Sequence, residues 1–250
     1  MNINGINVKE YRDIIIPYIK SDFEDNVLEK QYQFNIEEGK YNDTSIFSKA
    51  EQDILNNNNS PLKKNIALKE IISNKLIHSK NPINIYSWIV KQWGGITKFN
   101  KTEMEINYFF NELESKNVTA KYFGTISSLS KIASFKYLNK YFIYDSRVAY
   151  ALNWLIIKSK NNIKKFPMPS GRNTDLSDNY NIKTILALLK SNIYLSNKYA
   201  YIIYCELINE IYNKLKDICK EPYYIEMYLF SLFEKIIEEI KMKVELTINI

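Results

Sequence analysis

The sequence predicts an all-α protein. Three observations carry this: apolar residues recur at three- and four-residue intervals along most of the 250 residues, strict alternation is scarce, and Gly and Pro number only 6 each. With 46% hydrophobic residues the chain buries a real core, as one large domain or as two closely packed helical subdomains.

Taken in order, residues 11–20, 23–34 and 45–55 show helical periodicity with weak boundaries. "NNNNS" at 56–60 is a loop. Ser60-Pro61 opens the next helix: serine caps, and proline sits where no N–H is needed. Asn81-Pro82 repeats the signal ahead of Ile85, Trp88 and Ile89, and Gly94-Gly95 ends that helix. Asn100 with Glu103 predicts a capping arrangement before Met104, Tyr108, Phe109 and Leu113. Further helices are predicted over 126–138, 145–160, 176–192, 196–219 and 222–242. "FPMPSGRN" at 166–173 is the clearest non-helical stretch, either a plain connector or a loop whose Arg172 and Asn173 reach a phosphate or a base. Residues 1–80 form a helical region without a recognised motif, expected to pack as one unit with 81–250.

Charge is unevenly spread. Between residues 121 and 172 stand ten Lys/Arg and a single acid, Asp145. That stretch carries +9, leaving −3 for the rest of a chain of net charge +6. A polyanion fits such a surface, because cations at a phosphate backbone release counterions; a merely solvated lysine-rich surface is the plainer alternative. His78 is the one histidine, which excludes a histidine-cluster metal site. Cys205 and Cys219 fall in apolar helical segments and are expected as buried free thiols, so neither a metal nor a cofactor is expected. No signal peptide opens the chain and no apolar run spans a bilayer, so a cytoplasmic protein without membrane contact is expected.

Asp145 precedes a helix whose apolar positions 148, 151, 152, 155 and 156 share one face. Its simplest role is a helix cap, worth about 1 kcal/mol. Lys131 is read as opening the preceding helix, through Ile132, Ala133 and Phe135. The interval from 131 to 145 leaves room for that helix, a turn and a second helix start, so the two side chains can face a common cleft.

The segment "SLSKIASF…YFIYDSRV" resembles the core of the helix-hairpin-helix DNA glycosylases of the 8-oxoguanine glycosylase type, and in particular a bacterial group of that fold. "QWGG" at 92–95, "PSGRN" at 169–173 and "IEMYLF" at 225–230 follow that group's order. The resemblance spans Trp93 to Phe230. It implies a helix-hairpin-helix glycosylase-like fold with a cleft between two subdomains. It implies base flipping from double-stranded DNA and excision of a damaged or modified base, 8-oxoguanine-like or of phage type. Asp145 would stabilise the sugar cation, and Lys131 would attack C1′ and permit β-elimination. Ser128, Ser130, Arg147, Lys164, Lys165, Arg172 and Asn173 are the candidate DNA contacts, Lys164 and Lys165 from the basic stretch and Arg172 and Asn173 from the loop at 166–173. Trp93, Glu226, Phe230 and Phe233 are candidates for the base pocket, with core packing as their plainer reading. The chain departs from the pattern in "TISSLSK" at 125–131, which has no glycine, and in Arg147, where histidine is common. A non-catalytic DNA-binding module and a helical protein-interaction domain stay open beside the enzyme.

Overall fold

The computed structural model describes residues 2–170, 180–189 and 193–243. The described chain is mostly helical, as expected. It opens with a small hairpin that periodicity did not foresee: β1 (Asn2–Ile3) pairs antiparallel with β2 (Ile6–Asn7). Asn4 and Gly5 turn it with φ of 49° and 79°, the left-handed pair that a two-residue hairpin needs.

Helix α1 (Val8–Glu24) and α2 (Val27–Gln31) replace the continuous helix expected over 23–34, because Asn26 at φ 52° breaks the run. Helix α3 (Lys49–Asn56) starts at a reciprocal capping box between Ser48 and Glu51. Helix α4 (Pro61–His78) starts as expected, with Ser60 Oγ accepting the Lys63 N–H. Helix α5 (Ile83–Trp88) is not capped by Asn81; Pro82 occupies that position. It runs on into a π-helical turn, Ile89–Trp93, closed by the Gly94 N–H on the Ile89 carbonyl at 2.9 Å. The left-handed residue beyond it is Gly95, at φ 67°. Helix α6 (Glu103–Glu114) is capped by Thr102 with Glu105, two residues past the expected Asn100 and Glu103. The short α7 (Ala120–Phe123) turns at Gly124-Thr125 into α8 (Ile126–Lys136). Then follow α9 (Ser146–Lys158), α10 (Ile182–Leu188), α11 (Asn197–Leu215) and α12 (Pro222–Lys243).

One apolar cluster runs from Ile3 to Ile240. Within it α1 packs on α11 and α9, α12 lies along α9, and α4 lies along α8. The first eighty residues thus share the core with the later helices. Both cysteines are buried and unpaired, and burial pushes each thiol up to about 12. Among the described residues, no helix is long and apolar enough to cross a membrane.

Candidate active site

The site is organised by a buried extended segment, residues 141–145, between α8 and α9. Such a segment must satisfy its backbone groups without a sheet. Here side chains do it. Tyr201 and Tyr204 of α11 donate to the carbonyls of Phe142 and Ile143 at 3.0 and 2.8 Å. The Tyr144 N–H donates to Ser130 Oγ at 3.0 Å. That last bond joins the residue before Lys131 to the residue before Asp145, so it sets the spacing of the pair.

Asp145 caps α9 as the sequence predicts: its Oδ1 accepts the N–H groups of Arg147 and Val148 at 3.0 and 3.1 Å. The negative charge therefore sits at the positive end of the helix dipole. Its other oxygen, Oδ2, lies 4.0 Å from Lys131 Nζ. Lys131 stands in the second turn of α8 and does not open it, because the helix already begins at Ile126. "TISSLSK" is accordingly the first turns of a helix and not a hairpin. The lysine folds back along α8 and donates to the Ser127 carbonyl at 2.9 Å. Its stem passes Gly94, where an added Cβ would come 2.9 Å from Lys131 Cδ and 2.8 Å from the Val90 carbonyl oxygen. Only glycine leaves that space. The "WGG" turn thus shapes the passage of the amine. Burial pushes the Lys131 ammonium below its ordinary range; the Asp145 and Glu226 charges oppose this, and Lys69 and Arg147 add to it.

Both groups border a cavity of about 210 Å³, walled by Tyr32, Phe34, Trp93, Ile143, Glu226 and Phe230. The aromatic walls hold one another edge-on. Phe34 meets Trp93 at 5.4 Å and Phe230 at 5.7 Å between ring centres. The Trp93 indole N–H is tied to Asn65 Oδ1 at 3.0 Å, which fixes its plane. Arg147 lies at the rim, its guanidinium 4.8 Å from the Phe230 ring centre. Lys131 and Asp145 keep 10% and 16% of their side chains open to solvent, so the pair is reachable from outside.

The structure brings together Lys131, Asp145, Arg147, Trp93, Glu226 and Phe230 around this cavity. It corrects three expected members. Ser130 is fully buried and its hydroxyl is engaged by Tyr144, so it meets no phosphate. Lys165 is 1% exposed, with its ammonium on the Ile163 carbonyl at 2.7 Å. Its backbone is paired to Ile193 and Leu195, and burial pushes the amine down. Phe233 packs edge-on against Tyr150 in the core, behind Arg147, whose guanidinium lies 5.8 Å from its ring centre, and does not line the cavity. Ser128 is half-buried on the first turn of α8 and Lys164 is exposed. Arg172 and Asn173 lie outside the described residues. Ser170, just before them, docks on the α7–α8 turn, its carbonyl accepting from Ser127 Oγ at 3.2 Å.

Sequence reading missed Tyr32, Phe34 and Lys69, all from the first eighty residues. Tyr32 is almost buried, and burial followed by the Glu226 and Asp145 charges pushes its hydroxyl well above the ordinary value. It stays a proton donor at the cavity wall. Lys69 is 1% exposed and pairs with Glu226 at 3.4 Å. A lysine on the apolar stripe of α4 was the one available signal for it. Comparisons with protein-family models, with curated proteins and with solved structures returned no match.

Proposed function

We propose that this protein is a DNA glycosylase that draws a damaged or modified base out of duplex DNA into the cavity beside Lys131 and Asp145. The observation that carries this reading is the amine–carboxylate pair, 4.0 Å apart at an accessible, aromatic-walled cavity. A base in the stack is out of reach of any side chain, so the enzyme must extrude it. Phe34, Trp93 and Phe230 offer apolar faces and edges to a flat ring, and Glu226 offers a polar contact to its rim. As the C1′–N bond lengthens, positive charge grows on the sugar. A carboxylate beside it, Asp145, stabilises that charge. An amine depressed by burial is more often neutral and so more nucleophilic. Lys131 then attacks C1′, and ring opening yields a Schiff base that permits β-elimination. Arg147 and Lys164 are the described cations suited to the phosphate backbone.

The test is excision profiling of the full chain against duplexes carrying oxidised, alkylated, deaminated and phage-type bases, with borohydride present to trap the imine. At least one base is expected to be released, with a covalent adduct at Lys131 that Lys131→Gln abolishes. Release of no base and no adduct would overturn the reading. A second reading, a DNA-binding module of the same fold without turnover, is favoured by one observation. The segment that would carry the glycine hairpin is helical and holds no glycine after Gly124.

A further inference from the structure

Two carboxylates border the cavity, and the reaction above uses only Asp145. Glu226 sits in the second turn of α12 and is 3% exposed, yet it helps form the cavity wall. Its partner Lys69 is enclosed as well: Ser134 Oγ lies at 3.5 Å, and the Phe135 and Tyr223 ring centres at 5.0 and 5.8 Å. An apolar pair of similar volume generally serves stability as well as a buried ion pair, so stability alone does not explain these two residues.

We propose that Glu226 is the general acid that protonates the departing base, and that the Lys69 ammonium balances the carboxylate this leaves behind. The proposal rests on the glycosylase reading. It follows from a division of labour between two carboxyl groups in unlike surroundings. Asp145 stands at a helix N-terminus, partly open to water, with two N–H donors on one oxygen. Glu226 is only 3% exposed, in the cavity wall, and polar or charged groups from several elements face it. These are Tyr32 beyond α2, Lys69 of α4, Lys131 of α8, Asp145 at the N-terminus of α9, and Tyr204 and Cys205 of α11, with Arg147 of α9 on the same cavity. Burial pushes Glu226 up, and the Asp145 charge adds to this. Lys69 and the Ile143 main chain oppose it, and the upward shift prevails.

The step balances. The C1′–N bond breaks and its electron pair leaves with the base. The Glu226 O–H proton passes to a ring nitrogen or carbonyl oxygen of the base, which departs neutral. Glu226 becomes a carboxylate 3.4 Å from Lys69. The sugar cation, facing Asp145, is captured by the Lys131 amine.

Two substrates separate this role from a structural one. The first is a duplex carrying the base identified by profiling. The second is a duplex carrying a preformed abasic site, where no base departs. Glu226→Gln is expected to slow excision by about 10²–10⁴-fold and to change borohydride trapping on the abasic duplex far less. Wild-type single-turnover excision is expected to fall at high pH as the acid deprotonates. Lys69→Met is expected to move that fall to higher pH, since a cation favouring the carboxylate has gone. An equal loss on both substrates, no loss on either, or a wild-type profile without the high-pH fall would overturn the inference alone. A wild-type protein that neither excises a base nor forms an adduct would overturn the glycosylase reading and this inference with it.

Discussion

Two lysine–carboxylate pairs meet at one cavity, Lys69 standing behind the wall that Lys131, Asp145 and Glu226 line, and they are held differently. Lys131 and Asp145 stand 4.0 Å apart, 10% and 16% exposed, on consecutive elements tied by the Ser130–Tyr144 hydrogen bond. Lys69 and Glu226 stand 3.4 Å apart, their side chains 1% and 4% exposed, and lie 157 positions apart in sequence. The outer pair is reachable and loosely matched, which suits groups that must meet a substrate. The inner pair is buried, with Glu226 in the cavity wall and Lys69 behind it, so its charges are tuned mainly by neighbouring groups. Breaking a buried pair strands a charge, whereas a pair near solvent is partly screened.

The largest expected effect separates chemistry from folding at the outer pair. Asp145→Asn is expected to abolish excision while DNA affinity and thermal stability stay near wild type, because asparagine caps a helix as well as aspartate. Excision assays beside fluorescence-anisotropy binding measure this; a variant that still excises would remove Asp145 from the chemistry.

Next comes stability. At high pH, where Glu226 is a carboxylate, Lys69→Met is expected to cost about 3–5 kcal/mol by leaving that charge buried without its cation. Lys131→Met, at the more open pair, is expected to cost clearly less. Urea denaturation of both variants compares them, and equal costs would erase the distinction between the pairs.

The smallest effect lies in the basic segment. Lys164→Ala is expected to lower the log–log salt slope of DNA binding by about 0.9 for one lost phosphate contact. Lys165→Ala is expected to leave the slope alone and to show its cost in unfolding, since its amine is sealed under Ile163. The reverse pattern would mean that exposure does not decide which lysine meets the backbone.

Much of the helical order was legible because it is written locally. Ser60-Pro61, the Asp145 cap and the apolar face of α9 depend on residues a few positions apart, and spacing reports them directly. Capping at 100–103 was read two residues early because several polar residues there compete, and only the backbone selects Thr102 with Glu105. Of the site, Lys131 and Asp145 were legible from a contiguous motif. Ser130 and Lys165 were misassigned for a shared reason. A polar side chain in a sequence looks solvent-bound, and its burial depends on what folds over it. Tyr201 and Tyr204 are two among many tyrosines until the 141–145 segment lies against them.

By itself, then, the sequence determined the all-α class and the cap at Asp145, and it allowed that carboxylate and Lys131 to face one cleft, because short chain separations constrain geometry directly. The tertiary structure alone decided that Tyr32 and Phe34 complete the cavity, that Glu226 has the buried cation of Lys69 beside it, and that Ser130 and Lys165 face inward. Those facts depend on helix packing between distant segments, where the energy comes from apolar area that many alternative arrangements can bury. No local spacing in a single sequence encodes which of those arrangements wins.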